Sequence, residues 1–379
     1  MTPESWSESA RAVVVGCGGV GGCVIAELHA AGRHVIAVTG NQEITQAVGE
    51  RGITARLQSG VRNARVDVVT DVSSLPPGPY DMALLAVPPN RLEDAAAQIL
   101  PYLGGAAGGL GAAARGAGVL VPLANGLPEE RLAARFGADR VVGGIVGFGA
   151  SMLSPGLVEQ TSEGGLTVGR LALGPEQGAI DDVVTRVAAF LRPLDRDIEI
   201  TTNLRGARWS KLAINCAISS LGTIGGDRLG ALMRHRFVRR LCLEVMTEVV
   251  QVALLRGVKL EKIAGTIDLE WIALDGEERL AQGSPGLLAK HTVLLAVGAK
   301  YRRLRSSMLL AIERGREPPV DFLNGEIVAR AGNVPVPVNQ AVVDAVKQIA
   351  AKHRAPSLEG LRKLFDDTRP ILKSMRLAA

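Results

Sequence analysis

Residues 11–31 constrain this chain more than any other stretch. Arg11 to Val15 is a short run rich in valine, Gly16-Cys17-Gly18-Gly19-Val20-Gly21 follows without a break, and Gly22 to Ala31 reads as a helix. A G-x-G-x-x-G string in isolation means little. Set between a strand and a helix, it is the turn that brings backbone amides up to a diphosphate. Gly16 permits the tight turn, Gly18 lets a ligand approach the backbone, and Gly21 lets the helix pack closely on the strand. Cys17, Gly19 and Val20 complete the loop, and the helix start adds N–H donors and a positive dipole end. The plainer alternative is a strand-to-helix turn with no ligand.

The rest of the first half keeps the same rhythm. Apolar runs at Val35–Val38, Val66–Val69, Met82–Val87, Val119–Leu123 and Val141–Val146 alternate with helical stretches. That order implies βαβ units and a parallel sheet buried on both faces. Gly104 to Gly118 is almost wholly glycine and alanine and reads as a loop or loose helix. Leu157 to Gly169 suggests a strand or hairpin, Ile180 to Leu191 a helix, and Ile198 to Thr202 a last strand. After residue 203 no βαβ rhythm returns. Phe237–Leu255, Leu287–Val297 and Val338–Ile349 all carry apolar residues at helical spacing. The expected architecture is α/β: a Rossmann-type parallel-sheet domain over 1–203, then an all-α domain over 204–379 for substrate binding and dimerisation.

Composition excludes several classes. With 47% hydrophobic and 21% charged residues the chain is a folding one. A net charge of +5 and only 3% aromatic residues argue against a nucleic-acid partner. No apolar run approaches the length of a bilayer span, and the first residues show no signal-peptide pattern. Cys17, Cys23, Cys216 and Cys242 form no metal-ligand spacing and read as buried thiols of a cytoplasmic protein. None of the five histidines stands near a second ligand, so no metal site is expected; His291 is the one that could reach a cleft.

The second run with chemical content is Trp209 to Ser219. Lys211, Asn215 and Ser219 stand four apart and share one face of an otherwise apolar helix. A lysine in such surroundings loses solvation, its pKa falls, and it becomes an acid suited to protonating a carbonyl oxygen. The same spacing also fits a partly exposed helix with ordinary polar residues.

These segments together resemble the ketopantoate reductase (2-dehydropantoate 2-reductase) family. The match is carried by the Gly16–Gly21 turn, Asn125-Gly126-Leu127, Lys211-Leu-Ala-Ile-Asn215-Cys216, Ser306-Ser307-Met308, Val320-Asp321-Phe322-Leu323-Asn324-Gly325 and Val334-Pro335-Val336-Pro337, in the family's order over roughly residues 11–350. The resemblance implies NADPH-dependent reduction of a 2-oxo acid to a 2-hydroxy acid, with Lys211 as general acid. It implies cofactor contacts at Asn125 and Ala150 beside the glycine turn. It also implies a substrate site lined by Asn125, Lys211, Asn215, Ser219 and Ser307.

Cofactor choice turns on the end of the second strand, Val38-Thr39-Gly40-Asn41, where a protein that binds NAD usually carries Asp or Glu. None stands there, and Thr39 and Asn41 can donate to a 2′-phosphate, so NADP(H) is expected, with NAD possible. Departures from the family bear on the substrate. Pro319 replaces the family's glutamate, with Glu317 and Asp321 as neighbouring carboxylates; Ser219 replaces a second helix asparagine; Pro88 replaces a lysine, with Arg91 nearby. They keep open a dehydrogenase for another hydroxy-acid or opine-like substrate, and a non-catalytic NADP-binding regulator. The run Lys300, Arg302, Arg303 and Arg305 reads as a solvated face or as the source of one carboxylate-binding arginine. Arg234, Arg236, Arg239 and Arg240 read as solvent-facing or interfacial, with no chemistry assigned, and the helical half is the candidate homodimer interface.

Overall fold

A computed structural model describes residues 3–104, 118–171, 180–261, 268–280 and 283–377. The Gly/Ala stretch at 105–117 and part of the 259–300 segment therefore lie outside the described residues. Contacts divide the chain into two units, Met1–Leu204 and Arg205–Ala379.

Among its described residues the first unit holds twelve strands: β1 (Arg11–Val15), β2 (His34–Val38), β3 (Ile53–Leu57), β4 (Gly60–Ala64), β5 (Val68–Val69), β6 (Met82–Leu85), β7 (Val119–Pro122), β8 (Gly143–Val146), β9 (Gly149–Ser154), β10 (Leu157–Ser162), β11 (Leu166–Gly169) and β12 (Ile198–Thr201). Its helices are α1 (Pro3–Ser9), α2 (Gly19–Ala30), α3 (Gln42–Arg51), α4 (Leu92–Ile99), α5 (Pro128–Phe136) and α6 (Asp182–Leu191). The main sheet runs β5-β2-β1-β6-β7, parallel throughout. β6 and β7 are buried at every residue and β1 at all but its first, as the continuous apolar runs require.

Two smaller sheets depart from the expected pattern. β4-β3-β10-β9 is a mixed sheet in which β10 pairs parallel with β3 and antiparallel with β9. β12-β11-β8 is the third, with β8 antiparallel to β11. The run at 141–146 reaches the parallel sheet only at its start, where Val141 bridges Leu120 of β7 in parallel, and β8 then joins the third sheet. Its apolar residues signal burial, and burial does not name the partner strand. Likewise 157–169 is not one hairpin: β10 and β11 join different sheets across Gly164 and Gly165. The expected strand at 66–69 shrinks to Val68 and Val69 at the sheet edge.

Helix α2 is packed on two sides. A Cβ on Gly21 would fall 1.9 Å from the Gly16 carbonyl oxygen, and one on Gly22 would fall 2.7 Å from Val158 of β10. Its residues from Gly21 to Leu28 are all buried, which accounts for a helix without a polar stripe. At its far end Glu27 forms a buried ion pair with Arg196 and accepts the Asp195 amide at 3.0 Å, fixing the helix axis against the loop before β12.

The second unit is helical among the described residues. It contains α7 (Leu204–Gly225), α8 (Leu229–Met233), α9 (Arg236–Leu255), α10 (Leu269–Ile272), α11 (Gly276–Leu280), α12 (Pro285–Lys300), α13 (Ser307–Glu313), α14 (Asn324–Arg330), α15 (Pro337–Ala350) and α16 (Leu358–Leu377). A buried polar network ties four of these together. Ser220 donates to Asn324 Oδ1 at 2.5 Å, and Asn324 Nδ2 donates to the Cys216 carbonyl and to Asn339 Oδ1. Glu248 of α9 accepts the Val338 and Asn339 amides at 2.9 and 2.8 Å. It thereby caps α15 across a helix pair, just behind Pro337 at the first helical position. No described helix is long and apolar enough to cross a membrane.

Candidate active site

The glycine turn lies at the carboxyl ends of β1, β2 and β6, where the strand order reverses, the position at which open α/β sheets bind ligands. Gly16 has φ +104° and its amide donates to the Val38 carbonyl at 2.8 Å. A Cβ there would lie 2.6 Å from the Ala86 oxygen, so only glycine passes between the ends of β2 and β6. Gly18 is the N-cap of α2, which has no side-chain cap, and a Cβ on it would meet nothing within 4 Å. The amides of the first turn thus lack a side-chain cap beside the open space at Gly18, an arrangement that suits a diphosphate. Cys17 is buried beneath the turn, its thiol on the Val38 carbonyl, and burial pushes it up to about 12. It is a spacer there, not a nucleophile.

Other first-unit residues stand as follows. A Cβ on Gly19 would lie 2.5 Å from the Ala150 carbonyl carbon, so Ala150 of β9 abuts the turn. Asn125 is exposed three residues past the end of β7. Thr39 is buried behind β2, and its hydroxyl receives the Asn41 amide at 3.5 Å. Asn41 uses Oδ1 to cap α3 through the Ile44 amide, which leaves its amide nitrogen as the donor. Glu43 and Arg91 are exposed.

In the second unit, Lys211 is half-buried on α7. Burial, and secondarily the Arg208 guanidinium three residues earlier, bring its amine down from 10.5 to about 7. Asn215 shares its helical face, with a buried Nδ2 that has no hydrogen-bond partner among the described residues. An orphaned buried donor one turn from a near-neutral amine is the signature of a ligand-facing surface. Ser219 is half-buried a turn further on, and its carbonyl accepts from Ser306, whose hydroxyl also caps α13. Ser307 is therefore carried next to this end of α7, although its own side chain is exposed.

Sequence reasoning missed Arg208, buried at 3% exposure in the same helix. The spacing to Lys211 was visible, but nothing in the string says that an arginine will be desolvated there. Asn324 of the matching 320–325 segment is fully buried in the network described above. Asp321 is ion-paired with Lys347 at 2.8 Å on the surface, and so is engaged away from any substitute role for the glutamate absent at Pro319. Lys300, Arg302, Arg303 and Arg305 are exposed, and Arg305 pairs with Glu313. Among the described residues no cluster of His, Cys, Asp and Glu is placed to hold a metal ion.

A parallel-sheet unit with an uncapped glycine turn, joined in sequence to a helical unit with a perturbed lysine, defines an oxidoreductase of the dinucleotide-binding class. The chain belongs to the ketopantoate reductase PanE/ApbA family: that family's sequence model matches residues 12–172, and the model of its C-terminal region matches 203–350. It is 25% identical to the 2-dehydropantoate 2-reductase of Pyrococcus horikoshii over 328 residues, 86% of this chain and 93% of that one. Identity to the Halobacterium salinarum 2-dehydropantoate 2-reductase is 29%, covering 89% and 98% of the two chains. Among solved structures, the PanE/ApbA family ketopantoate reductase of Ralstonia eutropha JMP134 superposes with a TM-score of 0.70 at 24% identity, covering 90% of this chain and 99% of that one. D-mandelate dehydrogenase in its complex with NADH and anilino(oxo)acetate has the same fold, with a TM-score of 0.72 at 16% identity over 90% and 99% of the chains.

Proposed function

We propose that this protein reduces a 2-oxo acid, in the first instance 2-dehydropantoate, to the 2-hydroxy acid with NADPH. The observation that carries the reading is Lys211: a lysine with a pKa near 7, in the family's Lys-Leu-x-x-Asn segment, beside an unpartnered amide. The residues fit a dinucleotide, because the turn offers uncapped amides and a surface where no side chain intrudes. When bound, the nicotinamide supplies the hydride for the carbonyl carbon. Lys211 holds the proton and gives it to the carbonyl oxygen as negative charge develops there. Asn215 donates to the same oxygen or to the carboxylate beside it, while Asn125, Ser219 and Ser307 complete the substrate contacts. The lack of a carboxylate at Thr39-Gly40-Asn41 favours the 2′-phosphate of NADPH, with Asn41 as donor.

The test is turnover of 2-dehydropantoate with each nicotinamide by the wild type and by Lys211→Ala. We expect NADPH to be preferred and the variant to lose roughly 10²- to 10⁴-fold in kcat. Normal turnover by the variant would remove Lys211 from the mechanism. Pro319, with Asp321 committed to Lys347, favours a second reading in which another 2-oxo acid is the better substrate. A panel of oxo acids under the same assay separates the two.

A further inference from the structure

The helical unit carries an open groove of about 440 Å³, apart from the residues proposed for the reduction, where the start of α9 meets α12 and α16. Five arginines line it, Arg234, Arg236, Arg240, Arg362 and Arg369, with His235 and His291, and among the described residues no acidic one does. Of the Arg234–Arg240 cluster, read from sequence as solvent-facing or interfacial, Arg234 and Arg236 are exposed while Arg240 is buried. Arg240 is 5% exposed and saturated by Glu244 and by the carbonyls of Glu278 and Arg279, so it is part of the wall.

Two observations point to an anionic occupant with an apolar or flat portion. Phe237 and Phe365 lie 6.0 Å apart within the groove, the Arg362 guanidinium sits 3.7 Å over the first ring and that of Arg369 5.3 Å over the second. Guanidinium groups held by their faces keep their N–H edges for bidentate bonds to phosphate-like oxygens. Independently, His291 is only 5% exposed, lines the groove, and its Nδ1 has no hydrogen-bond partner among the described residues. Burial and the nearby Arg239, Arg236 and Arg240 bring its pKa down to about 4, an environment that an arriving anion relieves. The volume is that of a small-molecule pocket, larger than a single inorganic ion needs.

We propose that this groove is a binding site for a small phosphate-bearing metabolite with an aromatic or apolar body, separate from the residues that bind the dinucleotide. Phosphate oxygens engage the N–H edges of Arg234 and Arg362, His291 supplies one further polar contact, and the half-buried Phe365 ring takes the body, Phe237 being covered by Arg362. A second copy of this chain is a poor occupant, since a two-fold contact through this face would set like charges against one another.

The experiment is histidine side-chain NMR of the full protein, with the His291 resonance assigned from His291→Gln, titrated with phenyl phosphate and with inorganic phosphate in 150 mM chloride. We expect a saturable His291 shift with both probes, severalfold tighter for phenyl phosphate, and at least tenfold weaker in the Arg234→Gln/Arg362→Gln double variant. Both arginines are exposed, so the variant should fold, as an unchanged melting temperature would verify. An unmoved His291, or the same titration curve in the double variant, overturns the proposal. A dimer that the double variant dissociates, with His291 unmoved by either probe, overturns it in favour of a second copy.

Discussion

Lys211 shows how much a few neighbours decide. In the role proposed for it Lys211 donates the proton, so with saturating cofactor the rate of reduction should fall as pH rises through about 7, the value that burial and Arg208 give it. Oxidation of the hydroxy acid needs the free base and should rise through the same range. Replacing Arg208 by Gln removes a positive neighbour, raises the amine's pKa and should move both limbs to higher pH. Unmoved limbs would mean another group sets the profile. The glycines divide in a comparable way. Gly18→Ala adds a methyl to open space, so stability should change by less than about 1 kcal/mol while NADPH binding weakens at least tenfold. Gly21→Ala drives a methyl into the Gly16 carbonyl and should cost about 3 kcal/mol in urea denaturation, whether or not cofactor is present. At this scale the sequence made placement readable where it follows from residue type and spacing, as for the glycine turn between β1 and α2 and for Lys211, Asn215 and Ser219 along α7. It was unreadable where the chemistry depends on burial, as for Arg208, because desolvation is contributed by residues far away in the chain; His291 was visible only as the histidine that could reach a cleft.

Among elements, α15 depends on one carboxylate from another helix. Glu248→Ala should orphan the Val338 and Asn339 amides and destabilise the protein by roughly 2–4 kcal/mol, read from urea midpoints at constant m-value. Burial raises Glu248 from 4.5 to about 7, so the fold holds its proton more tightly than the unfolded chain does. Its contribution is therefore largest below pH 4.5 and declines as pH rises through 7. That slope should be missing in Glu248→Ala. The same element scale explains what the sequence concealed. β6 and β7 announced themselves as unbroken apolar runs. β3 and β4, Ile-Thr-Ala-Arg-Leu and Gly-Val-Arg-Asn-Ala, carry few buried residues, Ile53 and Ala55 in the first and Ala64 in the second, and β3 finds its partner β10 about a hundred residues away. Such strands exist because a distant edge is available to pair with, and local pattern carries no trace of that.

For the whole molecule, each unit has its own core, and only Met1–Leu204 carries the dinucleotide turn. Calorimetric unfolding should depart from a single two-state transition, with the calorimetric enthalpy exceeding the van't Hoff value. NADPH should raise the melting temperature of the component containing Met1–Leu204 more than that of the other. One coincident transition that shifts as a block would show the units to be a single cooperative body. The alternation of apolar runs and helices made the two-part architecture legible, since a βαβ rhythm that stops at one residue is a long-range pattern. The division of the first unit into three sheets was hidden for the reason given for β3.

The clamping of α2 has a practical corollary. With β10 on one flank and the start of β1's turn on the other, no atom can be added at residues 16, 19, 21 or 22 without displacing main chain or a core valine. Anyone wishing to retune which hydride carrier the enzyme accepts must leave that helix alone. The place with room is Gly40, whose missing side chain would project into vacant volume. A grafted arginine or aspartate there would meet no steric objection, so donor choice in this scaffold is a matter of surface electrostatics that can be rewritten without touching the fold's anchor.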